Sequence, residues 1–387
     1  MFGKLSHALN RSPSHNKHTH AESNPHGEGI TGVYFSNWSI YERNHFPTDI
    51  DWQWVNHLYY AFLSIDTNTG SVSFSDTWAD VEVPLPSPLD PSKKVHGLVA
   101  QLRQIKQLHP QLKIMFSIGG WGYDHTFEAI THDARKLDTF ASQCAKLVIE
   151  HGFDGVDIDW EYPKTAAQGQ LYCRLLETLR EKFCEISPSL LITAAVPGSE
   201  EYIRHLDVKR MDNSLDYWNV MCYDFTGYSW SQKTGFHSNL FGANGDTDLC
   251  ADVALKSYGS RGVAANKLML GMPLYGRKFG GVEVPGIGQS FDKQKFSDEG
   301  IIEYAKLPLN HSKEVFDPRK VGAYCYDPTT KTLVTYDNVD SAKVKAVQVS
   351  SRGLAGGFYW DSAGDKHGEL IRTFSEMLRH SNSTSTH

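Results

Sequence analysis

From residue 30 onward the chain alternates between two hydrophobic rhythms. Short runs that are apolar at nearly every position are ITGVYF (30–35), NHLYYAF (56–62), LKIMFSI (112–118), GVDIDW (155–160), LLITAAV (190–196), YWNVMCY (217–223), KLMLGMPL (267–274) and AGGFYW (355–360). Continuous apolarity over so few residues is the pattern of parallel strands buried on both faces. The stretches between them are amphipathic. In one, Leu137, Phe140, Ala141 and Cys144 recur at i, i+3, i+4 and i+7, and Gly152 is placed to end the helix. Eight strands with helical spacers predict an α/β fold, a (β/α)8 TIM barrel, over residues 30–278 and 346–380.

One connection breaks the rhythm. About 80 residues separate the seventh and eighth strands, far more than a βα link needs. The interval holds its own strand-like pieces, KVGAYCYD and TLVTYDN, and predicts a small α+β insertion domain over 279–345. The links after strands two and six are also long, which predicts extra walls around a cleft. The ends have no such pattern. Residues 1–29 are polar, with five histidines, and 381–387 read SNSTSTH; both are expected to be disordered tails.

Composition narrows the partners. At 387 residues and 40% apolar, the chain can bury a large core. Its net charge of −7 argues against nucleic acid or an anionic membrane, which require clustered Lys and Arg. No window is apolar over the eighteen residues a membrane span needs. The N-terminus has no continuous apolar segment of the signal-peptide kind, so location stays open between the cytoplasm and export by another route. Aromatics make up 12% of the chain, and some of them could stack against sugar faces. Cys144, Cys173, Cys184, Cys222, Cys250 and Cys325 are scattered without a CxxC pair, which points to free buried thiols. Asn37-Trp38-Ser39 and Asn310-His311-Ser312 match the glycosylation acceptor pattern.

The chemistry is concentrated in FDGVDIDWEYP, residues 153–163. Side chains alternate along a strand, so Asp157, Asp159 and Glu161 share one face while Val156, Ile158 and Trp160 share the other. In a barrel the apolar set packs on the helices and the acids point inward. Buried charges are costly unless they share protons or hydrogen bonds, and barrel active sites lie at the C-terminal strand ends, where Glu161 falls. A calcium loop also uses alternating Asp, but it needs Gly and polar spacers where this chain has Val, Ile and Trp. A purely structural acid network would leave Glu161 at the strand mouth unexplained. Asp154, of opposite parity, is expected to anchor backbone at the strand start. No His/Cys cluster has ligand spacing and no Gly-rich turn suggests a nucleotide, so neither metal nor cofactor is implied.

DGVDIDWE resembles the DxxDxDxE signature of glycoside hydrolase family 18, to which many chitinases belong. SIGGW (117–121), MCYDF (221–225), GMPLYGR (271–277) and GGFYWDS (356–362) resemble that family's motifs on strands three, six, seven and eight. The likeness spans roughly residues 30 to 375, is closest in flavour to fungal and bacterial-type chitinases, and includes an insertion domain.

The resemblance implies a retaining, substrate-assisted hydrolysis of β-1,4-linked N-acetylglucosamine polymers and oligomers through an oxazolinium intermediate, releasing mainly chitobiose. It makes Glu161 the general acid and later the base. Asp159 would orient the acetamido N–H, and Asp157 would hold or share a proton with Asp159. Tyr223 would bind the acetamido oxygen, Asp224 would contact the sugar at the cleavage point and Met221 would line the pocket. Trp360 would floor the distorted sugar and Trp121 would offer a platform on the leaving-group side. Tyr34, Phe62, Tyr275 and Arg277 would be wall residues, and Asp298 would contact sugar from the insertion. Ser117, Gly119 and Gly120 would leave room beside the acids. The partners implied are chitin and chito-oligosaccharides, bound by a monomer. A chitin-binding lectin on the same scaffold would have lost the acid that Glu161 supplies here. An endo-N-acetylglucosaminidase acting on N-glycans is the other alternative.

Overall fold

A computed structural model describes residues 29–242, 249–294 and 300–384. The expected N-terminal tail through residue 28 and Asp298 lie outside the described residues.

Each apolar run forms a strand. We label them β1 (Ile30–Ser36), β2 (His57–Ile65), β3 (Lys113–Gly119), β4 (Gly155–Asp159), β5 (Leu191–Pro197), β6 (Tyr217–Met221), β7 (Leu268–Pro273) and β8 (Gly356–Trp360). Each pairs in parallel with the next, and β1 pairs with both β2 and β8, which closes the barrel. The helices form an outer ring. Helix Ala134–His151 starts where the Asp133 side chain accepts from the Arg135 and Lys136 amides, and it ends at Gly152, whose φ of 65° only glycine adopts freely. Its buried face is Leu137, Phe140, Ala141, Cys144, Ala145 and Val148.

Strand β4 separates two environments. Val156, Ile158 and Trp160 join the large apolar cluster between strands and helices, with Trp160 stacked on Phe127 at 5.2 Å. Asp157 and Asp159 point the other way, into the barrel, and are buried. Register then decides their neighbours. Ser117 of β3 and Thr193 of β5 lie level with Asp157, so all three side chains share the interior face. Asp154 anchors the start of β4 as expected, accepting the Ile114 amide at 2.8 Å beside Lys106 and Lys113.

Between β7 and β8 the chain builds a five-stranded antiparallel sheet from Tyr275–Phe279, Ile301–Glu303, Lys313–Asp317, Gly322–Asp327 and Thr332–Tyr336. It differs from the expected insertion in two ways. It opens at Tyr275, because only Leu274 separates its first strand from β7. Among the described residues its only helical turn is Tyr304–Lys306. The next helix, Val339–Ser351, packs against the last helix, Glu369–Thr384, in the barrel's outer ring. That last helix runs into the segment expected to be a loose C-terminal end. All six thiols are unpaired, five of them buried; Cys184 is exposed, contrary to expectation. No helix of the described residues is long and apolar enough to cross a membrane.

Candidate active site

The C-terminal strand ends open into a cavity of about 1220 Å³. Its lining includes Tyr34, Phe62, Trp121, Asp159, Glu161, Met221, Tyr223, Asp224, Tyr275, Arg277 and Trp360. Every site residue expected from the sequence that lies among the described residues is therefore in the wall, except Asp157, which sits one layer below.

Asp157 is held by four donors. One oxygen accepts from Tyr34 Oη (2.9 Å) and Ser117 Oγ (2.7 Å), the other from Thr193 Oγ1 (2.7 Å) and Asn219 Nδ2 (3.2 Å). Burial pushes its carboxyl up and these four bonds pull it down. Asp159 has the opposite surroundings. It is 4% exposed, and its Oδ1 has no hydrogen-bond partner. Burial first, then the charges of Glu161 and Asp157, push its carboxyl well above the usual range. Asp157 is among the charges that raise Asp159, so the two carboxyls lie close enough to act on each other.

Glu161 stands at the mouth of β4, half-buried. Burial raises its carboxyl to about 7, Asp224 adds to the rise, and the Tyr162 hydroxyl opposes it. A carboxyl poised there is protonated at mildly acid pH and can cycle between acid and base. The space beside the acids depends on glycine. A Cβ on Gly119, whose φ is 117°, would lie 2.2 Å from the Asp159 carbonyl oxygen.

The floor is aromatic. Trp360 stacks on Phe62 at 5.7 Å and lies 5.4 Å from Tyr34. Trp121 projects into solvent, 81% exposed, at the rim. Tyr223 is held neutral by burial and faces the cavity with Met221. Asp224 adopts a left-handed φ of 60° and is gripped by Arg277 through two bonds of 2.7 Å. Burial pushes that carboxyl up, but His237 and Arg277 outweigh it and hold the group well below the usual carboxylate range.

Several wall residues escaped the sequence reading because loops and short helical turns supply them. Trp38, on the turn after β1, lies 6.0 Å from Phe62 and extends the aromatic floor. Trp230 lies under the Arg277 guanidinium at 5.0 Å, and Tyr202 packs on Tyr162 at 4.6 Å. Arg43 grips Asp361 next to Trp360 and reaches Glu303 of the inserted sheet at 2.9 Å, which ties that sheet to the barrel rim. Exposed aromatics in polar loops were the available signal for Trp38 and Trp230. Asn37, one of the two acceptor-pattern asparagines, is buried and donates to Asp80 and Ser75, whereas Asn310 is exposed.

Against known proteins, the family model described as "Glycosyl hydrolases family 18" matches residues 30–365. "Endochitinase 1" of Metarhizium robertsii is 35% identical over 91% of this chain and 86% of its own length. The catalytic domain of chitinase B from Arthrobacter TAD20 superposes with a TM-score of 0.82 at 25% identity, covering 92% of this chain and 96% of that one. A chitinase from Cycas revoluta, solved in complex with (GlcNAc)4, gives 0.77 at 26% identity over 90% and 99%.

Proposed function

The chain belongs to the glycosyl hydrolases of family 18, and from that premise we propose that it is a chitinase that cleaves β-1,4-linked N-acetylglucosamine chains with retention of configuration. The observation that carries the reading is the stack of acids on β4. Asp157 is saturated with donors, Asp159 has none on Oδ1, and Glu161 is poised near neutrality at the mouth of an aromatic cavity.

Glu161 donates its proton to the bridging oxygen. The acetamido carbonyl of the sugar closes on the anomeric carbon, forming the oxazolinium ring and releasing the shortened chain as an alcohol. Glu161, now a carboxylate, takes a proton from water, which opens the ring and restores the acetamide. Asp159 accepts the acetamido N–H and supports the positive ring, Tyr223 binds the acetamido oxygen, and Trp360 carries the distorted sugar. Arg277, Tyr275, Phe62 and Tyr34 shape the walls. A walled cleft on a monomer favours release of short products, chiefly chitobiose.

The test is time-resolved product analysis on chitohexaose with anomer-resolved detection. Freshly formed β-anomer and a predominance of chitobiose are expected, and Glu161→Gln should abolish cleavage while oligosaccharide binding survives. An inverted product would defeat the substrate-assisted route. Random-length products in the first minutes would defeat the chitobiose assignment. Glycan release from a glycoprotein with no action on chitin would shift the substrate class.

A further inference from the structure

Behind Asp224, away from the cavity, lies a group that the reaction above does not use. His237 is fully buried in the loop after β6, where its carbonyl accepts the Phe225 amide at 3.0 Å. Its Nδ1 lies 3.5 Å from Oδ1 of Asp224, and its ring is 5.3 Å from that of Tyr275. The other charges around it are Arg277 on the inserted sheet, Asp337 beyond the sheet's last strand, and Lys345 on helix Val339–Ser351. Lys345 bridges Asp337 at 2.6 Å and donates to the Ser238 carbonyl at 2.7 Å. Burial pushes the imidazole below its ordinary range; Asp224 and Asp337 oppose this and Arg277 reinforces it. The ring is therefore neutral and carries a single N–H.

Which nitrogen carries that proton follows from what the ring faces. A bare Nδ1 would set a lone pair against the Asp224 carboxylate, whereas Nδ1–H sets a dipole toward it. Neither ring nitrogen completes a hydrogen bond among the described residues, but Nδ1 is the one with a carboxylate oxygen beside it, at 3.5 Å. Asp224 itself needs holding, since its left-handed backbone is uncommon for a residue other than glycine. Arg277 grips it from the cavity side, and His237 meets it from the buried side.

We propose that His237 is a positioning residue, whose Nδ1–H backs the Asp224 carboxylate and keeps it ionised and aimed at the sugar at the cleavage point. The assignment rests on the proposed function for the role of Asp224, but the tautomer it requires does not.

Two measurements test it. In wild-type protein labelled with 15N-histidine, the His237 resonances should report a neutral Nδ1–H tautomer from pH 7 to 8. An Nε2–H tautomer or a protonated ring would overturn the proposal whether or not the protein cleaves chitin. In kinetics on chitohexaose, His237→Phe should lower kcat/KM by about tenfold, as expected for one lost donor to a carboxylate. His237→Asn, whose amide nitrogen stands as many bonds from Cα as Nδ1, should recover most of that loss, and His237→Gln should not. If packing alone mattered, Phe would be the mildest change and Asn the worst, so that order would overturn the proposal, as would a Phe variant with wild-type kcat/KM.

Discussion

The cavity wall holds two sets of acids with opposite fates. On β4, Asp159 and Glu161 are pushed upward, toward holding protons. Past the end of β6, Asp224 is pushed downward, toward permanent charge. Burial raises all three carboxyls and is the largest influence on each, so burial does not separate them. The partners do. Asp224 has a guanidinium fork and an imidazole, whereas the charges acting on Asp159 are other carboxylates. A single fold thus keeps proton-carrying acids beside a fixed negative charge, and that fixed charge is one reason Glu161 holds its proton near neutrality.

The hardest test of this contrast is to neutralise the acid without donors. Asp159→Asn keeps the shape but removes the carboxyl oxygen that would accept the acetamido N–H and the group that would ionise opposite a positive intermediate. A loss in kcat on the order of 10²–10³-fold is expected, the size seen when one preorganised electrostatic partner is removed. Steady-state kinetics on a chitotriose reporter would measure it, and a loss below about fivefold would remove Asp159 from the chemistry. The counterpart on the other side is Arg277→Met, which leaves Asp224 without its fork. Breaking a fully buried pair costs about 3–5 kcal/mol. The Asp224 side chain is 34% exposed, so about 1–3 kcal/mol is the expected loss on denaturant unfolding.

How much of this was visible in the sequence follows the same division. The eight strands were legible because parallel strands buried on both faces leave short continuous apolar runs, and each run became a strand. The acids on β4 were legible because strand parity is a local property. Asp157 held by Tyr34, Ser117, Thr193 and Asn219 was not legible, because its donors come from four other strands and depend on register. His237, Trp38 and Arg43 lie on loops whose paths tertiary packing sets, and no periodic pattern marks them. The inserted sheet was legible as an interruption, but its first strand was hidden because it follows β7 after one residue.

A gentler test removes one donor from Asp157. Thr193→Val keeps the shape and deletes the 2.7 Å bond to its carboxylate. About 1–3 kcal/mol of stability should be lost, with kcat/KM falling by roughly tenfold or less, because three donors remain. If the Asp157 carboxyl were protonated, losing a donor would matter little and the unfolding midpoint would barely move.

The smallest effect is the most diagnostic of sign. The folded Glu161 carboxyl sits at about 7, above the 4.5 of the unfolded chain. Between those values the folded state binds more protons than the unfolded one, so this group's contribution to stability is complete below about 4.5 and is lost as pH rises through 7. Asp224 runs the other way, since its lowered carboxyl adds stability that disappears only in acid. Stability measured from pH 4.5 to 7 should therefore decline with a Glu161 component that Glu161→Gln removes, and the alkaline limb of kcat/KM should fall near the same value of about 7. The two readouts share one proton. If the kinetic limb stood near 7 while the Glu161→Gln variant kept the full decline in stability, the limb would belong to another group, and the division between a proton-carrying β4 and a permanently charged Asp224 would have to be redrawn around Asp159.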